Sequence, residues 1–188
     1  MLYPTENAKR EKKALDGIWS LAFDRDRQGV EKRYFEHPPA ELREIAVPAS
    51  LNEQSVDREL YNYMDWVWYF RHFSVSGAWR EKRIFLRVGS ATYRAEVYLN
   101  GQRLGSHEGG YLPFEFEVTD SVRFGGENFL AVRVDNLLEA TTIPQGNLDP
   151  SCGGEVVTWR VGNFPNVHYD FFPYMGIHRP VIIYATGK

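Results

Sequence analysis

The sequence predicts an all-β domain, a sandwich or barrel of about eight short strands. Three observations carry this. Apolar and polar residues alternate with period two in a succession of short runs. Turn residues separate the runs, with 16 Gly and 10 Pro in 188 residues. Aromatic side chains, which pack well on pleated surfaces, make up 15% of the chain. A chain this long forms about one domain. Folding it hides roughly 70% of the surface an unfolded chain exposes, so a core is attainable without disulfides.

The elements follow in order. Residues 1–15 are polar and read as a solvated N-terminal arm, including the dense basic run Lys9 to Lys13. Gly17 to Phe23 reads as a strand with Trp19, Leu21 and Phe23 on one face. Arg25 to Gly29 is a charged turn, and Tyr34 and Phe35 anchor a segment ending at His37-Pro38-Pro39. Ile45-Ala46-Val47 before Pro48 predicts a short edge piece. Leu51 to Asp65 is compatible with one or two helical turns.

Beyond this point the alternation is plain. Trp66 to Phe73 is an aromatic strand, and Arg83 to Val88 puts Ile84, Leu86 and Val88 on one face. Tyr93, Ala95, Val97 and Leu99 alternate with Arg94, Glu96, Tyr98 and Asn100. Asn100-Gly101 then supplies the positive φ angles of a type I′ hairpin turn. Phe114, Phe116 and Val118 form the next apolar face, Gly125-Gly126 a turn, and Leu130, Val132 and Val134 another face. Val181 to Tyr184 is a last apolar strand. Such strands are expected to bury one face and wet the other. Between Leu137 and Gly176 the pattern dissolves, and so long a loop in a compact domain is usually functional or disordered.

Charge and composition exclude several classes. Twenty-two Lys and Arg against 25 Asp and Glu leave a net charge of −3, without the basic stripe of a nucleic-acid binder. The single cysteine, Cys152, permits neither an internal disulfide nor a thiolate zinc site. No apolar stretch is long enough to span a membrane, and the start shows no apolar signal core. A cytoplasmic location is the expectation; a secreted or lysosomal chain trimmed of its leader would read the same way.

Motifs for dinucleotides, P-loop phosphates, serine nucleophiles and zinc proteases are missing. No cofactor and no metal site is expected. His107-Glu108 is followed by Gly109-Gly110-Tyr111, which reads as a turn. His168, Asp170 and His178 are weak as metal ligands and read better as hydrogen-bonding residues. Asn52-Glu53 could in principle serve a glycosidase, but a retaining enzyme needs two carboxyls about 5 Å apart. Glu53 has no evident partner, so a surface loop is the expected reading.

The run Val167 to Pro180 is the strongest constellation. Asp170 sits there among Tyr169, Phe171, Phe172 and Tyr174. A carboxylate so placed can accept bonds from two adjacent sugar hydroxyls, while aromatic faces suit the C–H face of the ring. Equally, Asp170 can cap a turn and the rings can be core. The residues alone leave both readings open.

Five ordered blocks then carry a resemblance. They are Trp68 to Arg71, Ala95 to Gly101, Gly105 to Phe114, Asp170-Phe171-Phe172 and Gly176 to Val181. Over essentially the whole chain they resemble the N-terminal sugar-binding domain of glycoside hydrolase family two. The opening Met1-Leu2-Tyr3-Pro4, with Leu15-Asp16-Gly17 and Asp170-Phe171-Phe172, narrows the resemblance to its β-glucuronidase branch. The resemblance implies a jelly-roll β-sandwich, galactose-binding-domain-like, over 1–188. It also implies an immunoglobulin-like domain and a catalytic barrel outside this chain, with both catalytic glutamates on the barrel. The 188-residue chain is therefore expected to have no catalytic residue of its own and to be inactive alone. The family's aspartate in the motif read here as Tyr169-Asp170-Phe171-Phe172 contacts glucuronide hydroxyls, which implies substrate binding by Asp170. The implied partners are a β-D-glucuronide, the chain's own barrel and, for the whole enzyme, further copies of itself. Where the family carries Asn-Tyr-Ala-Gly, this chain has Pro173-Tyr174-Met175-Gly176. Two other readings stay beside this one: a stand-alone carbohydrate-binding module, and a purely structural or oligomerisation domain.

Overall fold

The computed structural model describes residues 3–54, 56–61, 63–139, 141–143, 148–149, 155–156 and 174–187. Ten strands form two antiparallel sheets. These are β1 Arg10–Ala14, β2 Gly17–Phe23, β3 Arg43–Val47, β4 Val67–Ser74, β5 Arg83–Thr92, β6 Arg94–Leu99, β7 Gln102–Glu108, β8 Phe114–Glu117 and β9 Glu127–Asp135, with β12 Gly176–Thr186 closing the chain. A four-stranded sheet has the order β1-β12-β5-β8, and a six-stranded sheet the order β3-β2-β4-β9-β6-β7. Between β9 and β12, β10 Leu148–Asp149 and β11 Glu155–Val156 pair with each other. One helical turn, α1 Arg58–Tyr61, lies in the 51–65 segment.

The sheets pack as a sandwich because their inner faces carry the predicted alternation. Trp19 and Leu21 of β2, Ile84, Leu86 and Val88 of β5, Ala95, Val97 and Leu99 of β6, and Leu130, Val132 and Val134 of β9 share one buried core. Val181, Ile183 and Ala185 of β12 complete it. Asn100 at φ 52° and Gly101 at φ 85° make the β6–β7 turn.

Three expectations are corrected. Residues 10–14, expected in a free arm, pair with β12 in register Arg10↔Thr186 to Ala14↔Ile182. An edge strand needs only its backbone, and its charged side chains block further pairing, so period two gives no sign of it. Strand β4 buries both faces: Val67 and Tyr69 point into the sandwich, whereas Trp68 and Phe70 form a second apolar cluster outside it. Tyr34 and Phe35 pack on that cluster from the 24–42 segment. Asp24, 3% exposed, fixes this cover by accepting from Gly29 N and Trp68 Nε1, each at 2.9 Å. The β10–β11 ladder, lastly, falls where only loop was expected, two residues a side being too few to show alternation.

No helix among the described residues is long and apolar enough to cross a bilayer.

Candidate functional site at the ends of the 144–173 segment

The sequence directs attention to the chain between β9 and β12. Asp170, His168, Tyr169 and Cys152 lie outside the described residues. Described are the short β10–β11 ladder and the two stems by which the chain leaves β9 and enters β12.

The first stem leaves β9 at Asp135. Tyr93 N donates to Asp135 O, and Asn136 donates from Nδ2 to Tyr63 O at 3.0 Å while accepting from Asp65 N at 3.3 Å. Leu137 N donates to Asp135 Oδ1 at 2.9 Å. Arg94 reaches Glu139 at 3.1 Å and Asp135 at 3.8 Å. The Tyr93 hydroxyl accepts from Ile143 N at 2.9 Å. Asp135 is 1% exposed, and burial pushes its carboxyl up to about 6 against the pull of the Leu137 amide and Arg94.

The second stem enters β12. Met175 is fully buried, with its N–H on Asn52 Oδ1 at 2.8 Å and its carbonyl accepting from Leu51 N at 2.9 Å. The core thus absorbs the methionine found where the family resemblance expects alanine. Asn52 donates its other end, Nδ2, to Tyr61 O at 2.8 Å. The expected surface loop at Asn52-Glu53 is therefore half wrong: Asn52 is 0% exposed, whereas Glu53 faces solvent. No local pattern could have shown this, since the partners lie 9 and 123 positions away.

His178 joins three segments. Its Nε2 lies 2.9 Å from Ser90 Oγ, and its Nδ1 lies 3.3 Å from Thr92 Oγ1. The Ser90 and Thr92 hydroxyls both donate to Gly110 O, so each presents an acceptor oxygen to the His178 ring, at Nε2 and Nδ1 respectively. Burial pulls the imidazole below its usual range, and Arg179 adds to this against the Gly176 carbonyl. Gly110 is needed here for space: a Cβ would stand 2.8 Å from Thr92 Oγ1. His107 stacks on Phe114 with ring centres 4.4 Å apart. Among the described residues no three His, Cys, Asp or Glu side chains converge on a metal position.

Chemically, the described stems hold rather than react. They form a hydrogen-bonded frame at one end of the sandwich. Exposed Leu112, Ile143, Tyr111 and Tyr174 lie on the chain at this frame.

Comparison with known proteins gives this frame a context. The family model described as glycosyl hydrolases family 2, sugar binding domain, matches residues 12–187. The chain is 37% identical over 198 residues to a β-glucuronidase of Canis lupus familiaris, covering 99% of this chain and 30% of the relative. It is 37% identical to one of Paenibacillus borealis, covering 100% of this chain and 31% of the relative. Among solved structures, an uncultured Clostridium sp. β-glucuronidase is 41% identical with a TM-score of 0.86, over 100% of this chain and 31% of that one. A Ruminococcus gnavus β-glucuronidase in complex with D-glucuronic acid is 32% identical with a TM-score of 0.87, over 98% of this chain and 31% of that one. This chain thus spans about a third of the length of the relatives it matches.

Proposed function

The chain belongs to the sugar-binding domains of glycosyl hydrolases family 2, and from this premise we propose that it is the N-terminal domain of a β-glucuronidase. The reading rests on one observation above others: the likeness to β-glucuronidases runs over 99–100% of the chain in the relatives cited. The β-D-glucuronide would be cleaved with retention by two carboxyls about 5 Å apart on a barrel encoded elsewhere in the polypeptide. This domain's part would be binding. Asp170 would accept bonds from glucuronide hydroxyls, with the charge-assisted strength of an ionised acceptor. The two stems support that role, because the chain leaves β9 and enters β12 at the same end of the sandwich, with Tyr93 N bonded to Asp135 O and Gly176 paired with Thr92. Exposed Leu112 and Ile143, 69% and 84% exposed, offer apolar contact to the barrel at that same end.

The test compares the intact enzyme with this chain alone on an aryl β-D-glucuronide. The intact enzyme should turn over and the 188-residue chain should not. Asp170→Ala in the intact enzyme should lower kcat/KM by the worth of a bond to a charged group, about 1.5–3 kcal/mol. Steady hydrolysis by the pure short chain, or unchanged kcat/KM in the variant, would sink the reading.

A further inference from the structure

A cleft of about 430 Å³ opens between the 24–42 cover and the outer face of the six-stranded sheet. Glu36 and His37 line it from the cover, and His72 of β4 with Glu127 and Phe129 of β9 line it from the sheet. It lies at the far end of that sheet from the first stem. Arg94 pairs with Asp135 at the stem, whereas Ser74 pairs with Glu127 at the cleft. Residues 128 to 135 of β9, at about 3.3 Å each, put the two roughly 20 Å apart. Small-molecule sites usually enclose about 300–1,000 Å³, so the cleft is of their size. Its floor is fixed from within. Asn100 Nδ2 donates to Ser121 O at 2.8 Å and to Asn128 Oδ1 at 2.9 Å, and Asn100 Oδ1 accepts from Phe129 N at 3.0 Å. Asn128, 0% exposed, holds both backbone groups of Arg123, accepting from its N at 2.7 Å and donating to its O at 2.9 Å. The cover sits closely on the β6–β7 turn: a Cβ on Gly101 would stand 2.9 Å from Glu36 Oε1.

Donors, acceptors and rings meet around this floor. His72 Nδ1 lies 3.0 Å from Glu127 Oε2, and both side chains stay largely open to a ligand, at 58% and 72% exposed. Arg33 Nε donates to Glu36 Oε2 at 2.8 Å, and the Arg33 bonds hold the Glu36 carboxyl below its usual range, as an acceptor. Among the described residues the Arg123 guanidinium, which also lines the cleft, has no partner. A row of rings runs along the sheet into the cleft wall: Trp68 stacks on Phe70, Phe70 on Phe129, and His72 lies 4.8 Å from Phe129. Such a lining discriminates between ligand classes. An apolar ligand would take charged groups out of water without pairing them. An anion would meet the Glu36 and Glu127 carboxylates beside Arg123. A sugar hydroxyl both donates and accepts, so neighbouring hydroxyls can pair with a carboxylate and a guanidinium at once, while the C–H face of the ring suits an aromatic wall. We propose that this cleft binds a neutral sugar ring, the terminal pyranose of a glycan. Arg123 and Glu127 supply its hydrogen bonds, and His72 and Phe129 form its wall.

The experiment is saturation-transfer NMR on the intact enzyme with neutral probes, the methyl pyranosides of glucose, galactose, mannose and N-acetylglucosamine. Excess D-glucuronic acid is present throughout, to keep the probes out of a glucuronide pocket. At least one probe should show transfer, with a Kd in the millimolar range. Arg123→Ala and Glu127→Ala should each raise that Kd by about 5-fold or more, the effect of losing a hydrogen bond to a charged group. Both side chains are exposed, so melting temperatures should stay near that of the parent and serve as the check on folding. Where one variant does not fold, the other carries the test. No transfer from any probe, or a Kd unchanged in a folded variant, overturns the proposal. Inorganic phosphate binding more tightly than every sugar, and losing that binding in Arg123→Ala, would make the cleft an anion site and overturn it as well.

Discussion

Gly176 lies against the phenol of Tyr69, so closely that a Cβ on Gly176 would collide with the Tyr69 oxygen. Its φ of 98° is also one that side chains rarely adopt. Two independent constraints therefore select glycine where the second stem enters β12.

Gly176→Ala should destabilise the chain by roughly 2–4 kcal/mol, from backbone strain and overpacking together. The buried Tyr69 oxygen faces the Ile177 backbone amide without completing a well-formed hydrogen bond, so Tyr69→Phe alone should cost about 1 kcal/mol or less. Tyr69→Phe should also recover part of the Gly176→Ala loss, since it removes the atom in the way. Urea unfolding of the two single variants and the double checks this. A double variant as unstable as the sum of the singles would show that the collision is not the cause.

Asp24→Ala should cost about 2–4 kcal/mol, because it leaves two buried donors without an acceptor. The carboxylate, 3% exposed, serves Gly29 N, Trp68 Nε1 and, at 3.4 Å, Arg133. Its loss strands Gly29 N and Trp68 Nε1, leaves Arg133 to Glu96 at 3.4 Å, and loosens the 24–42 cover over Trp68. A red shift of tryptophan emission before global unfolding should accompany the drop in melting temperature. A variant with wild-type emission and stability would remove Asp24 from the set of anchors.

Asp135 makes stability depend on pH in a direction opposite to most carboxylates. Burial raises its pKa from 3.8 to about 6 in the fold. Between those values the folded chain holds a proton that the unfolded chain has lost, so stability falls as pH rises through the window. Above about 6 the full cost of the buried charge is present, on the order of 3 kcal/mol. Asp135→Asn should therefore gain on the wild type at pH 8 and lose that advantage by pH 4. Melting temperatures of both proteins across this range test it, and a difference independent of pH would refute the assignment.

Much of the architecture was legible in short windows. Which residues of β2, β5, β6 and β9 face the core follows from period two, and the β6–β7 turn follows from Asn100-Gly101. Other features carried no local mark. Strand β1, of sequence REKKA, has no apolar face, so only its pairing with β12 identifies it. Trp68 and Phe70 read as a wet face until the 24–42 segment covers them. At the candidate site, the aspartate motif was visible in sequence, but the residues that hold its stems were not. Asn52 was noticed for its neighbour Glu53, and its bond to Met175 spans 123 positions.

Alternation and turn chemistry are properties of neighbours, so the chain order alone settled that this is an all-β domain, sandwich or barrel, and which side of most strands turns inward. The ordered blocks in it also settled its kinship. Folding decided the rest: that Asn52, Tyr93 and Arg94 meet the two stems, and that the outer face of β4 is dry. Those contacts join polar groups far apart along the chain, and a hydrogen bond between distant residues leaves no periodic trace for a sequence to show.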